Sequence, residues 1–274
     1  MRIGRIIALA LAITMVASAA FAGPVYDRIM QEKKIRIGIM TDSIPGAFFD
    51  EKGEWTGFDY DISTELAKRM GVELERVKVN NKTRIAFIQQ NRIDVSVANM
   101  THTRERDKSI DFSITYFFDG QKVLAKKGAF ASLEDMKDKK IATMQGTTSE
   151  INIKNALKAL GVANPDANVI SFQKESECFQ ALEMGRVAGW TTDATILLGY
   201  AAKKPGEFEL VGDFLSDEPY GMGLPQDDSA LRDAVNFALQ DMWLDGTYMA
   251  IYNKWYGPET PYAMPMTDQI EIWP

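Results

Sequence analysis

Residues 99–113 read NMTHTRERDKSIDFS and carry two arginines, a lysine, four hydroxyl side chains and the only histidine of the chain. Three kinds of chemistry compete for that composition: a basic patch for nucleic acid, a catalytic group built on His102, or a grip on something small and anionic. A guanidinium holds a carboxylate through two parallel hydrogen bonds, and Arg106 stands five residues beyond Thr101, whose hydroxyl can add a third. The alternative for Arg104 and Arg106 is that of most arginines, a solvated surface charge. A second stretch, MQGTTSE at residues 144–150, ends a strand pattern and opens a helix pattern. Its leading N–H groups and the hydroxyls of Thr147 and Thr148 suit an anion, because a helix start carries partial positive charge. Plain capping by Thr147 or Thr148, with Glu150 helping, is the other use, and the two are compatible. A third stretch, GWTTDATILLGY at residues 189–200, sets Asp193 at a helix start, where it either caps or pairs with an ammonium. Taken together, these groups describe a cleft with cationic and acidic sides for one zwitterion.

The common routes of catalysis are poorly supplied. One histidine and one cysteine make neither a Cys-His pair with support nor a metal-ligand cluster, and His102 lies in no nucleophile-elbow pattern. No glycine-rich strand-to-helix turn matches a phosphate loop or a dinucleotide fingerprint. The expectation is no catalytic residue, no metal and no cofactor. Cys178 shares a helical face with Phe179 and Leu182 and reads as a buried thiol.

The chain has 274 residues and a net charge of −7. Arg2 and Arg5, the apolar run from Ile6 to Val16, and Ala20-Phe21-Ala22 before Gly23 form the pattern of a secretory signal peptide over residues 1–22. The apolar run falls short of the roughly 20 residues of a spanning helix. No cysteine follows the cut, so a lipoprotein is not expected. Removal of that segment takes two arginines and no acid, and the remainder carries −9. Such an excess argues against nucleic acid and against an anionic membrane surface. A single cysteine in an exported chain means that packing alone holds the fold.

The elements that must position these groups read as two α/β units. KIRIGIM alternates Ile35, Ile37 and Ile39 as a half-buried strand, and FDYDISTELAKRMG spaces Phe58, Ile62, Leu66 and Met70 as a helix stopped by Gly71. Residues 41–57 between them read as a loop. Strand 74–79, helix 83–90 and strand 93–98 follow. A second unit has strands at 139–144, 168–172 and 186–191 and helices at 150–160, 175–184 and 194–203. Beta-alpha-beta alternation implies an open sheet wound with helices. Two C-terminal helices, with Leu231, Val235, Ala238, Leu239 and Met242 on one face, have no strands of their own and must pack on something already built.

These segments, in order, make the sequence resemble family 3 of the extracellular solute-binding proteins, the amino-acid receptors of bacterial ABC importers. The resemblance runs through IRIGIMTDSIPGAFFDEKGEWTGFDYDISTELAKRMG, NRIDVSVANMTHTRERDKSIDFSITYFFDGQKVLAKKG, SLEDMKDKKIATMQGTTSE, DEPYGMGL and DGTYMAIYNKWYG. It implies a two-lobed periplasmic binding protein fold of type II: two α/β domains joined by two crossing strands near residues 121–125 and 219–224, with the ligand cleft between. Residues 27–120 plus 219–274 would form lobe 1 and residues 121–218 lobe 2. The family's T-x-T-x-x-R pattern falls on Thr101, Thr103 and Arg106. By that resemblance Arg106 holds the ligand α-carboxylate, aided by Thr101 and the helix start at Thr148, while Asp193 takes the ammonium and Asn99 offers further contacts.

KTRIAFI at residues 82–88 is similar to a segment of the glutamate/aspartate-binding members, in which the arginine matching Arg84 meets the side-chain carboxylate. Three positions depart from that pattern: Met40 stands for an arginine, Glu175 for a histidine and Gly46 for an aromatic platform, with Phe48 or Phe87 as substitutes. The implied function is periplasmic binding of an acidic or otherwise polar L-amino acid by a monomer, and its delivery to an ABC transporter permease. The alternative is an enzyme of the cyclohexadienyl/arogenate dehydratase kind on the same scaffold.

Overall fold

The structure, a computed structural model, describes residues 23–274; the signal peptide expected at residues 1–22 lies outside the described residues. The chain runs α1 (Pro24–Glu32), β1 (Lys34–Ile39), β2 (Asp42–Ser43), β3 (Ala47–Phe49), β4 (Trp55–Thr56), α2 (Phe58–Met70), β5 (Glu73–Lys78), α3 (Arg84–Gln89), β6 (Val95–Ser96) and β7 (Asp111–Lys126). It continues with β8 (Ile141–Met144), α4 (Thr148–Ala159), α5 (Pro165–Asn168), β9 (Val169–Phe172), α6 (Glu175–Glu183), β10 (Gly189–Asp193), α7 (Ala194–Ala201), β11 (Phe208–Leu224), α8 (Ser229–Leu244) and α9 (Thr247–Tyr256). Two 3-10 turns, Arg106–Lys108 and Glu134–Met136, complete the set. None of the described helices is long and apolar enough to cross a membrane.

Eight strands are hydrogen-bonded in the order β5-β1-β6-β11-β7-β10-β8-β9. At one end β1 is parallel to β5 and β6, and at the other β8 is parallel to β9 and β10, as right-handed crossovers through helices produce. The middle belongs to β7 and β11, 16 and 17 residues long, which run antiparallel to each other through both ends. Loop 41–57 is more ordered than its sequence implies: β2, β3 and β4 pair into a separate three-stranded sheet. The strand expected at 93–98 shortens to Val95–Ser96, because β11 bulges between Tyr220 and Gly223 and meets β6 only at Ser96.

Each end of the sheet has its own apolar packing. One cluster joins Ile35, Ile37 and Ile39 to Phe58, Leu66, Val95, Tyr116, Leu231 and Tyr252. On the far side of the crossing strands, Leu124 packs with Trp190, Leu197 and Phe179, while its neighbour Val123 packs with Ile141, Ile153 and Leu157. Successive residues of a strand point to opposite faces, so one strand serves both layers. Cys178 is fully buried in the first of these, its thiol pushed up by burial.

The two C-terminal helices find their partner in the first cluster. Phe58, at the start of α2, stands 5.3–6.4 Å from the rings of Tyr116, Phe117, Tyr248, Tyr252 and Tyr256. Asp228 secures the other side, since one carboxylate accepts from Leu231 N–H at the start of α8 and from Val25 and Tyr26 N–H at the start of α1. Replacing Phe58 by alanine removes the ring that the three α9 tyrosines share, and urea unfolding is expected to show a loss of about 3–5 kcal/mol. A loss below about 1 kcal/mol would mean that α9 is held by other contacts.

Candidate functional site

Four helix starts face one cleft: α3 on the side of the first cluster, and α4, α6 and α7 on the other. Arg84, Asn99 and Thr101 line it from one side, and Thr147, Thr148, Glu175 and Asp193 from the other. Met40 and Ile196 supply its apolar wall, and neither Phe48 nor Phe87 lines it.

Arg84 is 2% exposed and opens α3. The Asn80 side chain holds the turn before it, accepting from Lys82 and Thr83 N–H. The Arg84 Nη1 donates to the carbonyls of Ala98 (2.5 Å) and Asn99 (2.9 Å), while its Nε has no partner. Burial, and then the charge of Arg106, lowers its pKa to about 9, so it remains a cation at neutral pH. Asn99 takes a left-handed backbone (φ 47), which asparagine tolerates better than most residues. Its carboxamide lies over Gly46, 2.8–2.9 Å from where a Cβ would stand. The Asn99 carboxamide thus occupies the space beside Gly46 into which a side chain there would extend.

Thr101 and Thr148 converge from opposite sides on a carboxylate of the chain itself. The Glu218 Oε2 accepts from the Thr101 hydroxyl (2.5 Å) and from the Thr148 hydroxyl (2.8 Å), and its Oε1 accepts from Ser216 Oγ (2.5 Å) and Asn152 Nδ2 (3.2 Å). Glu218 sits on β11 and is 1% exposed. Arg106 borders this cluster rather than the open space. Its Nη1 donates to the Thr101 carbonyl (2.8 Å), and Thr103 Oγ1 accepts from its backbone N–H (3.2 Å). Burial lowers the Arg106 pKa, and the charges of Glu218 and Asp193 oppose that shift. The neighbours Arg104, Glu105, Asp107 and Lys108 are exposed, and His102 stacks on Phe112 with its Nε2 2.9 Å from Asp107.

Thr147 caps α4, its hydroxyl accepting from Glu150 N–H (3.2 Å). Glu150 accepts from Gly146 N–H and from Ser171 Oγ. Burial raises its pKa, but those two bonds and Lys154 outweigh that and hold it below the usual range. Asp193 stands at the N-cap of α7 without capping it. Asp119 on β7 does so instead, accepting from Thr195 N–H (3.3 Å) and Thr195 Oγ1 (2.5 Å). The Asp193 Oδ2 accepts from Tyr220 Oη (2.5 Å), and its Oδ1 has no partner. Burial and then the charge of Asp119 push Asp193 well above the usual carboxylate range.

Glu175 begins α6, 2% exposed, with Oε2 unpartnered. Burial, followed by the charges of Asp42 and Asp193, pushes it well up, against the pull of Arg84. Its backbone N–H donates to Asp42 Oδ2 (3.1 Å). The same segment also reaches across the cleft. Tyr200 Oη donates to the Asp42 carbonyl (2.7 Å), Ile44 packs into the cluster of Trp190 and Leu197, and the Ile44 carbonyl oxygen lies 2.2 Å from where a Cβ at Gly199 would stand.

The cleft thus gathers Arg84, Asn99, Thr101, Thr147, Thr148 and Asp193, with Arg106 at its edge. Sequence reasoning passed over Asp119 and Glu218 as site residues; both lie on the crossing strands, opposite each other in register. Among the described residues no group of three or more histidine, cysteine, aspartate or glutamate side chains is placed to hold a metal ion.

Comparison with known proteins gives consistent matches. The profile of the bacterial extracellular solute-binding proteins, family 3, matches residues 35–258. The ABC transporter glutamine-binding protein GlnH of Bacillus subtilis is 39% identical over 233 residues, covering 83% of this chain and 82% of that protein. The L-glutamate/L-aspartate-binding protein of Pseudomonas aeruginosa is 30% identical over 262 residues, covering 89% and 85%. The structure of an ancestral arginine-binding protein bound to arginine superimposes with a TM-score of 0.76 at 39% identity, covering 82% of this chain and 99% of that one.

The Gly199 contact has a mechanical consequence. Gly199→Val places a branched side chain against the Ile44 carbonyl and is expected to hold the two sides of the cleft apart, seen as a larger radius of gyration in small-angle scattering. An unchanged radius would show that this approach does not limit closure.

Proposed function

The chain belongs to the bacterial extracellular solute-binding proteins, family 3, and on that premise we propose that it captures an L-amino acid between its two lobes and presents it to the membrane permease of an ABC importer. One observation carries the reading. Ser43 Oγ, Arg84 Nε, Asn99 Oδ1, Glu175 Oε2 and Asp193 Oδ1 are all buried, without a protein partner, and on the wall of this cleft. A buried polar atom left unpaired costs about 1–3 kcal/mol, so five in one place favour a polar ligand that pairs them.

In this reading Asp193 Oδ1 takes the ligand ammonium. Arg106 and the leading N–H groups of α4 take the carboxylate. The protons of the Thr101 and Thr148 hydroxyls are committed to Glu218, so both hydroxyls turn toward the ligand carboxylate as it enters, leaving Glu218 to Ser216 and Asn152. Each charge-assisted bond is worth about 1.5–3 kcal/mol. Bonds drawn from both sides exist only when the cleft is closed, and that differential affinity lets the ligand shift the equilibrium. The lobes are residues 27–120 with 219–274, and residues 121–218, a division supported by the separate apolar clusters. Residues 1–22 direct export and are cut before Gly23. The protein then acts in the periplasm as a monomer.

One observation favours a second reading. Glu175 is a buried carboxyl, pushed up by burial, on the cleft wall, which is how a general acid is prepared. A cyclohexadienyl or arogenate dehydratase-like enzyme needs such a group, whereas Glu150, held ionised by Ser171, Gly146 and Lys154, does not serve. Formation of an aromatic product from arogenate or prephenate would decide for it.

Arg106→Ala is expected to abolish amino-acid binding in calorimetry, and unchanged affinity would remove Arg106 from the site. An ammonium requires an ionised Asp193, whose folded pKa is raised, so binding expels a proton. Affinity is therefore expected to fall as pH drops through that raised pKa. The binding enthalpy should also vary with the ionisation enthalpy of the buffer, and buffer-independent heat would place the ammonium elsewhere.

A further inference from the structure

We propose that the C-terminal segment and α9 together form a soft-metal site, in which the thioethers of Met249, Met264 and Met266 take a single copper(I) ion. The three line one open groove with Tyr252 and Tyr256, and no residue of the amino-acid cleft lines it. The site therefore stands apart from solute capture and does not depend on which solute the cleft holds.

Two elements bring the sulfurs together. Met249, Tyr252, Asn253 and Tyr256 follow at helical spacing on α9 and line the groove from that side. Beyond the helix the chain turns back along the same face: Met264 N–H donates to the Tyr256 carbonyl (3.0 Å), and the Met264 carbonyl accepts from Tyr252 Oη (3.1 Å). Exposure then alternates, with Ala263, Pro265 and Thr267 exposed and Met264 and Met266 half-buried between them. Extended chain turns alternate residues to one side, so both thioethers face α9. Met266 also lines a neighbouring hollow with Tyr248 and Tyr252, which sets it toward the start of α9, on the side of Met249. Long, unbranched methionine side chains can close the distances that remain.

The donor set selects the metal. A thioether is a soft, neutral ligand, and such ligands favour copper(I), whereas calcium and magnesium need oxygen. No residue lining the groove is a histidine, cysteine, aspartate or glutamate, so the hard divalent ions and zinc find no anionic or imidazole ligand there. The faces of Tyr252 and Tyr256 favour a cation beside them, and the net charge of −7 works in the same direction. Cys178, the strongest soft donor of the chain, does not compete for an ion from solvent, because it is fully buried among Met144, Phe179 and Trp190. Three methionines that only filled a gap against α9 would be replaceable by leucine, which keeps the volume and loses the sulfur.

Silver(I), a redox-inert stand-in for copper(I), tests the site when titrated as the nitrate into the full exported chain with isotope-labelled methionine methyls, in chloride-free buffer. One equivalent should shift the methyl resonances of Met249, Met264 and Met266 together, ahead of that of Met184, which is exposed on α6's far end. Competition for copper(I) against a chromophoric chelator, without oxygen, should show Met264→Leu and Met266→Leu binding at least about 10-fold more weakly, the least that outer-shell changes alone commonly cost. Cys178→Ala should bind as the parent does. Affinity should also hold between about pH 5 and about pH 8, since a thioether has no proton to lose, whereas a thiolate or imidazole site weakens as pH falls. No binding at one equivalent, methyl shifts confined to other methionines, an unchanged affinity in Met266→Leu, or a loss in Cys178→Ala overturns the proposal, and none of these outcomes bears on amino-acid capture in the cleft.

Discussion

Charged side chains held out of water between two separately packed bodies are the constraint on which the rest of the structure depends. Arg84, Glu175, Asp193 and Glu218 are each at most 6% exposed. An isolated charge in such a place is costly enough to shift its protonation or to unfold its surroundings. The neighbouring chain offsets part of that cost. Two backbone carbonyls hold Arg84, Tyr220 holds one oxygen of Asp193, and four side chains hold Glu218. What is left unpaired is one atom each of Arg84, Glu175 and Asp193, on the wall of the same space.

The crossing strands do more than link the lobes. Asp119 and Gln121 on β7, and Glu218 and Tyr220 on β11, each act on the cleft from below. Asp119 caps α7, which frees Asp193 from that duty. Gln121, fully buried, donates to the Ser149 carbonyl (3.1 Å) and to Thr191 Oγ1 (2.9 Å), and so fixes the first turn of α4 against β10. A rotation about these strands would carry Thr101 and Thr148 apart and break the Glu218 bridge between them. The strands therefore couple the angle between the lobes to the polar groups of the site. On the rim, the Asp42–Tyr200 bond and the Ile44–Gly199 approach join the two sides of the cleft.

Much of this was legible before the structure, and the exceptions have physical reasons. Helix α2 reads within a residue of its ends because acids open it, Lys68 and Arg69 close it, and Gly71 stops it in a left-handed turn (φ 67). The three-stranded sheet between residues 42 and 56 escapes because strands of two or three residues show no period. The full length of β7 and β11 escapes because β7 is buried on both faces for much of its course, while residues 212–217 of β11 are exposed or half-buried throughout, and neither stretch shows alternation. In the cleft, Thr101, Arg106, Thr148 and Asp193 are visible as strand-end and helix-start residues, whereas the roles of Glu218 and Asp119 depend on pairing across about 100 residues. Gly46 reads as a missing aromatic in sequence; the structure shows that the Asn99 carboxamide fills the space beside it.

The central claim is that the unpaired atoms of the cleft are the ligand's seats. A crystal structure of the protein with a bound L-amino acid tests it most directly. The account predicts the ammonium on Asp193 Oδ1, the carboxylate between Arg106 and the start of α4, and the side chain toward Arg84 Nε and Glu175 Oε2. A ligand bound outside this cleft, or bound within it with the ammonium away from Asp193, would contradict the account.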